Sequence, residues 1–289
     1  MSFIERLKRN KVLALFAKSM DEFNTDNGNL LAAAVSYSLL FSLFPFALAV
    51  ISIAGFFMTS SEFEAEVITS LANLLPVARN LIVTTLNGVV SERAATGIIA
   101  LAGLIWSATS FFDALRRSLN ATWHVKHPQT FIKGQLTDFS MMIFAFIAFI
   151  GFIWITTSVN FIHETNMQSA LPRFMRSLLF SRIIFAVLSA LLAFLVILLL
   201  YKFVPSQRPQ WKDIWPGALV AAVGFEIIRF GFIWYVKNFS TYNLVYGSIG
   251  TVIALLAFIY FTAWILLFTA KLTAVQLRMK TNSNNCVNP

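Results

Sequence analysis

Residues 248–270 read SIGTVIALLAFIYFTAWILLFTA, and none of them is charged. About 20 apolar residues suffice for a helix to cross the hydrocarbon core of a bilayer. Five earlier stretches are also predominantly apolar, so the chain is predicted to cross a membrane six times. These stretches are residues 30–58, 94–112, 136–162, 178–204 and 215–236. In lipid each backbone N–H must be bonded within its own segment, which predicts helices for all six.

The composition of the whole chain favours the same fold. Its 289 residues are 58% hydrophobic and 12% charged, and the mean hydropathy is +0.73, whereas a soluble domain carries about 25% charged residues. The single cysteine, Cys286, excludes an intrachain disulfide. The predicted fold is all-α, a polytopic bundle of six transmembrane helices with short amphipathic interfacial helices. Residues 1–280 form one predicted transmembrane domain, including an N-terminal segment over 1–29, and residues 281–289 a disordered tail.

The distribution of lysine and arginine predicts the orientation. Most of the 22 basic residues fall in the N-terminal segment, after the second and fourth predicted helices, and in the C-terminal tail. Lysine and arginine in short loops mark the cytoplasmic side. Both termini are therefore predicted to lie in the cytoplasm, with the chain in a bacterial cytoplasmic (inner) membrane. This bias also accounts for the net charge of +9 without a nucleic-acid partner, and membrane lipids are the expected surroundings.

Two further segments are predicted to be helical without crossing the membrane. Residues 2–18 set Phe3, Leu7 and Phe16 against lysine and arginine, which is typical of a helix lying in the interface. Residues 67–89 have helical apolar spacing interrupted by Pro76, which predicts two short amphipathic helices on the outer side.

Glu226 and Arg229 are charged residues near the middle of the fifth predicted helix. Their spacing places both on one face, and a charge at that depth costs about 2.5–3.5 kcal/mol on insertion scales. We therefore expect both to face the bundle interior and to pair with each other or with a neighbour, such as Tyr37 or Lys271. One interpretation is a substrate or ion contact, and the other is a structural ion pair that fixes helix packing.

Two other segments are candidates for substrate binding. The first predicted helix carries Tyr37 and Ser38 before Pro45, which bends a helix and frees a carbonyl that small hydroxyls can bond. Interrupted helices line substrate sites in transporters, although a kink with small-residue packing fits the same pattern. The predicted loop between the fifth and sixth helices is the second segment, and its aromatic residues also suit plain interfacial anchors. Its candidate residues are Tyr242, Asn243, Tyr246 and Gly247.

Asp113, Arg116 and Arg117 follow the second predicted helix on the cytoplasmic side. We interpret them as interface charges, with a lipid-headgroup site as the alternative. His124 and His127 have a His-x-x-His spacing, but no cysteine or acidic cluster accompanies them, so no metal site is predicted. The sequence contains no hydrolase, nucleotide or dinucleotide motif, and no cofactor is expected.

Three stretches together resemble the YihY/BrkB family of bacterial membrane proteins, which has also carried a ribonuclease BN label. They are DNGNLLAAAVSYSLLFSLFPF over 26–46, LIWSATSFFDALRRSLNATWHV over 104–125, and residues 215–275, in which YNLVYGSIG and the Glu-bearing helix before it are the most specific part. The resemblance implies six helices with both ends inside. It also implies a role linked to envelope resistance or to transport, with lipid among the proposed substrates.

One position departs from the family pattern. Near the end of the last helix the family usually has Gly-Ala-Glu, whereas this chain has Thr269-Ala270-Lys271. The leading hypothesis is a transporter or lipid-handling protein acting on a lipid or small amphipathic substrate, with a polar path between the first, fifth and sixth helices. A non-transporting scaffold for envelope proteins is the second hypothesis. A ribonuclease is the weakest, so no enzymatic activity is expected. The sequence does not specify an oligomeric state.

Overall fold

The computed structural model describes residues 11–57, 93–125, 134, 136–141, 143, 178–206, 209–238 and 241–287. The long helices are α1 (Lys11–Thr25), α2 (Gly28–Phe57), α3 (Arg93–Thr122), α4 (Leu178–Phe203), α5 (Trp211–Asn238) and α6 (Thr241–Val287). These ranges contain no strand, which confirms the all-α class. Residues 134, 136–141 and 143 are also helical, and all of them except 134 belong to the third predicted span. The rest of that span and the predicted helices of 67–89 lie outside the described residues.

Two segments of the described chain are long and apolar enough to cross a membrane by length and composition. They are Trp211–Tyr235 and Val252–Lys280, which lie in α5 and α6. Gly28–Leu43 and Ala190–Phe203, in α2 and α4, are apolar but shorter. The predicted number of six spans and the cytoplasmic placement of the termini remain predictions.

The structure corrects the predicted bounds of two helices. α3 extends to Thr122 rather than 112, so Asp113, Arg116 and Arg117 lie within a helix and not in the loop after it. The prediction ended before Asp113 because it followed the hydropathy of the sequence. A helix continues through polar residues where its backbone hydrogen bonds form and a neighbouring surface packs against it.

The second correction concerns both ends of α6, which begins at Thr241 and continues to Val287. Tyr242, Asn243, Tyr246 and Gly247 therefore lie in the first turns of a helix and not in a loop. A helical glycine costs about 1 kcal/mol relative to alanine, which an established helix tolerates. The disorder predicted from residue 281 is replaced by helix through Val287.

α1 does not lie apart from the bundle. Its aromatic side chains pack edge-to-face on α6, with ring centroids 5.2 Å apart for Phe16 and Phe268 and 5.5 Å apart for Phe23 and Trp264. A left-handed Asn27 (φ 57°) turns the chain from α1 into α2, and its carbonyl accepts the amides of Leu30 and Leu31. The interfacial helix predicted over 2–18 thus overlaps α1 only from Lys11, and residues 1–10 lie outside the described residues.

α6 is central to the described bundle and packs against α1, α2, α3 and α5. Glycines of α5 allow the closest approach. A Cβ at Gly217 would lie 1.9 Å from Thr273 Oγ1, and one at Gly224 would lie 2.6 Å from Ile265 Cγ1. Small residues at helix contacts are typical of membrane bundles, because packing rather than the hydrophobic effect associates helices in lipid.

The largest buried cluster draws on α1 to α6 and lies where α2 begins, where α3 and α4 end and where α5 begins. Fully buried members include Leu119, Tyr201, Ile214, Ala218 and Leu267. The Tyr201 hydroxyl donates to the Leu266 carbonyl at 2.5 Å and lies 2.7 Å from Thr269 Oγ1. This end of the bundle is the one that carries most of the described charged side chains.

Candidate functional site

Glu226 and Arg229 form an ion pair on α5, with 2.6 Å between Glu226 Oε2 and Arg229 Nη2. Their side chains are 13% and 29% exposed. The Arg229 guanidinium also lies 5.2 Å from the centroid of the Phe230 ring. The contact predicted from the i, i+3 spacing of the two residues is thus present.

The pair lies beside an exposed apolar face of α5. Its apolar side chains are 46–66% exposed and recur every three or four residues, as Trp215, Leu219, Val223, Ile227, Phe230 and Trp234. At about 1.5 Å per residue the two tryptophans are about 28 Å apart along the axis, close to the hydrocarbon thickness of about 30 Å. Tryptophan favours the two membrane interfaces. Glu226 lies near the middle of this apolar face, and Arg229 lies about one turn closer to Trp234.

A second charged cluster surrounds Lys271, whose side chain is 0% exposed. Its ammonium contacts the Asp26 carboxylate directly, lies 3.3 Å from Glu22 Oε2 and donates to the Thr122 carbonyl at 3.4 Å. Arg278 donates to the same Glu22 oxygen at 2.5 Å. Two cations of α6 are therefore neutralised by one carboxylate of α1 and one of the turn that follows it. We call Glu22, Asp26, His124, Lys271 and Arg278 the Lys271 cluster.

His124 joins the Lys271 cluster from the end of α3. The Val125 amide bonds the Asn120 carbonyl and the His124 amide bonds the Ala121 carbonyl, which is a Schellman motif with His124 at its left-handed position (φ 52°). Glycine or asparagine normally occupies this position, since a Cβ is disfavoured there. A strained backbone thus presents the imidazole to Asp26 and Lys271, and such strain is typical of functional positions.

The contacts of the imidazole assign its proton. Nε2 lies 2.6 Å from Asp26 Oδ2, and a carboxylate oxygen can only accept, so Nε2 carries the proton. In the neutral ring Nδ1 is then the acceptor, and it faces Arg278 Nη1 at 3.5 Å. Lys271 Nζ lies 3.0 Å from Nε2, which is a close approach of two donors rather than a hydrogen bond.

The neighbouring cations determine the charge of the two carboxyl groups. Burial alone raises the pKa of Asp26, but the hydrogen bonds from Lys271 and His124 outweigh it and hold the pKa below its ordinary value. For Glu22, burial is likewise outweighed by Arg278 and Lys271, and its pKa is also lowered. Both groups are carboxylates at neutral pH.

A third cluster, which we call the Arg116 cluster, contains the three predicted interface charges Asp113, Arg116 and Arg117 together with Asp138. Arg116 is buried and binds Asp138 through two nitrogens, at 2.9 Å and 3.1 Å, and Asp113 at 2.6 Å. A Cβ at Gly134 would lie 2.8 Å from the Arg116 guanidinium carbon, so a larger residue there would displace the guanidinium. Arg117 is 71% exposed and bonds Asp113 at 2.7 Å. Arg116 therefore connects α3 to the third predicted span, while Arg117 remains at the surface.

The candidate residues of α2 are not gathered around Glu226. Tyr37 is 68% exposed and stacks on Phe41 with 6.4 Å between centroids, and Ser38 is half-buried. Pro45 packs near Gly103 of α3. The hydroxyls of Ser36 and Ser42 bond the Ala32 and Leu39 carbonyls, so neither reaches the carbonyl of residue 41 that Pro45 frees. Lys271, suggested as a partner of Glu226, belongs to a separate cluster.

The sequence reasoning missed the acidic partners. A lysine in an apolar helix requires a counter-charge, which makes Glu22 and Asp26 the natural candidates just before the first apolar run. Asp138 is the one acidic residue in the third predicted span. A buried Arg116 would need an acidic partner, and that need would have indicated Asp138. In the described part of the chain, no three His, Cys, Asp or Glu residues are grouped so that they could hold a metal ion. His127 and the side chains of residues 241–249, which include four candidate residues, lie outside the part of the chain that the structure describes.

Comparison with known proteins identifies the family. A profile described as Virulence factor BrkB matches residues 19–286. The chain belongs to the BrkB family. Among the BrkB relatives, YfkH of Bacillus subtilis, which carries a provisional ribonuclease-like name, is 26% identical over 93% of this chain and 97% of its own length. The inner membrane protein YhjD of Escherichia coli is 26% identical, covering 92% and 82%.

A further BrkB relative, a UPF0761 membrane protein of Mannheimia succiniciproducens, is 26% identical over 94% of this chain and 92% of its own. No solved structure matches the chain. The family and its relatives establish a membrane protein, in agreement with the apolar segments of α5 and α6.

Proposed function

We propose that this chain is a multi-pass protein of the bacterial cytoplasmic membrane that transports or otherwise handles a lipid or small amphipathic molecule. The observation that carries the proposal is the Glu226–Arg229 pair in the central part of α5, a helix whose exposed side is apolar. Charges at that depth are costly and commonly mark substrate or ion pathways. The partial exposure of both side chains leaves them within reach of a bound molecule.

The chemistry of the pair suits an amphipathic substrate. A guanidinium binds a phosphate or carboxylate through two parallel hydrogen bonds, and the carboxylate of Glu226 accepts from a hydroxyl or an ammonium group. A substrate headgroup can therefore replace the internal ion pair while its apolar part contacts the exposed face of α5. Since the sequence has no nucleotide motif, movement would be passive, ion-coupled or dependent on a partner.

A non-transporting scaffold is the second candidate. The observation that favours it is the dense packing at one end of the bundle, where Ala218, Tyr201 and Leu267 are fully buried. A scaffold needs that rigid end but makes no use of the charges on Glu226 and Arg229. The two functions therefore differ in what happens when the charges are removed together.

The third class, a ribonuclease, rests on the provisional name of the Bacillus relative. We propose that the chain is not an enzyme, because its sequence contains no hydrolase or nucleotide-binding motif. Assaying RNA cleavage by the purified protein with added divalent metal separates this class from the other two.

The experiment compares single and double replacements of the pair in a deletion strain, with growth under detergent stress as the readout. Glu226→Gln alone leaves Arg229 without its carboxylate and should reduce the amount of folded protein in the membrane. Glu226→Gln with Arg229→Met should restore normal amounts and still fail to restore growth. Lys212→Gln, an exposed position on the same helix, is the control and should behave as wild type.

A charge swap sharpens the result. Glu226→Arg with Arg229→Glu preserves an ion pair but exchanges the positions of the two charges. A substrate site distinguishes those positions, so we expect normal amounts of an inactive protein. Full growth with either double variant would contradict the proposal and leave the pair a packing role.

A further inference from the structure

The Lys271 cluster is balanced only while His124 is neutral. Among the residues that the structure describes, the charged groups around the imidazole are Glu22 of α1, Asp26 in the turn after α1, and Lys271 and Arg278 of α6. Their four charges cancel. The three protons of the ammonium have three acceptors, in Asp26, Glu22 and the Thr122 carbonyl. Any proton added to His124 therefore introduces an unbalanced positive charge.

A second proton on His124 would disturb contacts on both sides of the ring. Nδ1 would no longer accept from Arg278, and an N–H would face that guanidinium at 3.5 Å. On the other side the imidazolium would lie 3.0 Å from the Lys271 ammonium. Asp26, at 2.6 Å, would have to accept from both cations, so the ion pair between Lys271 and Asp26 would weaken.

The side chains of the cluster differ in their access to solvent. Lys271 is 0% exposed, whereas the imidazole is 46% exposed. Histidine is the side chain whose charge ordinarily changes between about pH 5 and pH 8. Over that range Asp26 and Glu22 stay ionised, because the adjacent cations hold the pKa of both carboxyl groups low.

We propose that His124, Asp26 and Lys271 form a proton-binding site that controls how α1 is held against α6. With neutral His124 the site is closed and α1 is fixed to the bundle by ion pairs. With protonated His124 the ion pairs rearrange and residues 19–26, including the ring of Phe23, separate from α6, while the contact of Phe16 with Phe268 keeps the start of α1 nearby. The site shares no residue with the Glu226–Arg229 pair and is tested without any transport assay.

Ser19 reports the opening. It lies one turn before Glu22 on the same side of α1, is fully buried, and its hydroxyl bonds the Leu15 carbonyl. Ser36 of α2 is its matched control, because it is 1% exposed and its hydroxyl likewise bonds the carbonyl four residues earlier. Each is changed to cysteine in the full chain carrying Cys286→Ser, and labelling rates with a water-soluble maleimide are measured in lipid vesicles.

We expect the Ser19→Cys thiol to react about tenfold faster at about pH 5.5 than at about pH 7.5, after correction for the intrinsic pH dependence of the reagent. The Ser36→Cys thiol should react equally slowly at both. Adding His124→Asn should abolish the increase, because asparagine accepts the left-handed backbone and does not titrate. His124→Gly, which suits the same backbone position, should give the same result and serves if the asparagine variant folds poorly.

Three outcomes would overturn the proposal. The Ser19→Cys thiol could stay protected at both pH values. It could become reactive to the same extent in the His124→Asn and His124→Gly chains, which would assign the opening to another group. Both thiols could become reactive together, which would indicate unfolding of the whole bundle.

Discussion

Arg116 and Arg117 are consecutive residues of α3, and both bond Asp113, yet their surroundings differ. The Arg116 side chain is 9% exposed and faces Asp138, which is 2% exposed. That of Arg117 is 71% exposed. Removing one partner of a buried ion pair leaves an uncompensated charge, whereas an exposed pair is screened by water. The two positions therefore form a matched comparison within one helix.

Arg116→Met should lower the free energy of unfolding by about 3–5 kcal/mol, because Asp138 is left buried without its cation. Arg117→Met should cost about 1 kcal/mol or less. Thermal unfolding of both purified variants in the same detergent measures the difference. Adding Asp138→Asn to Arg116→Met should recover part of the loss. Equal losses for the two arginines would show that the Arg116–Asp138 contact contributes no more than a surface pair.

Individual residues also show where prediction from sequence succeeds. The Glu226–Arg229 contact follows from spacing alone, since both partners lie on one helix. The partners of Arg116 and Lys271 lie on other helices, so their pairing depends on packing that spacing does not specify. His124 was considered only as a metal ligand. Its left-handed backbone and its contact with Lys271 arise from the way α3 ends beside α6.

Helices are better predicted than their ends. Hydropathy places α2 and α4 within two residues of their observed bounds, because apolar windows there coincide with the helices. Hydropathy predicts α3 and α6 to be shorter than they are. Polar residues and glycine fall outside an apolar window, but they continue a helix that packs against a partner surface. The bulk of the third predicted span and the predicted outer helices lie outside the described residues, so their prediction stands as made.

The packing of α5 on α6 provides a prediction about whole helices. Gly217→Ala should cost about 1–3 kcal/mol, because the new methyl group overlaps Thr273 Oγ1. Gly231→Ala is the control, since a Cβ there meets nothing within 4 Å, and it should be neutral or stabilising by up to about 1 kcal/mol. Thermal unfolding in detergent compares them. Adding Thr273→Ala should recover part of the Gly217→Ala loss, and no loss in Gly217→Ala would refute the close approach.

Across the whole molecule, family membership and the apolar helices establish a membrane protein, and the charge bias predicts its orientation. The end of the bundle that holds the Lys271 and Arg116 clusters carries the charges predicted to be cytoplasmic. The Glu226–Arg229 pair lies farther along α5, between the tryptophans that flank its apolar face. The proposed substrate contact requires α5 to cross the membrane, so its two ends must lie on opposite sides.

Cysteine accessibility in intact cells tests that claim most directly. Lys212 and Asn238 lie in exposed positions at opposite ends of α5, and each is changed to cysteine in the chain with Cys286→Ser. A membrane-impermeant maleimide should label position 238 in intact spheroplasts and position 212 only after permeabilisation. The native Cys286, tested in the otherwise unchanged chain, should behave like position 212. Labelling of positions 212 and 238 from the same side would contradict the crossing of α5, and labelling of Cys286 in intact cells would contradict the cytoplasmic C-terminus.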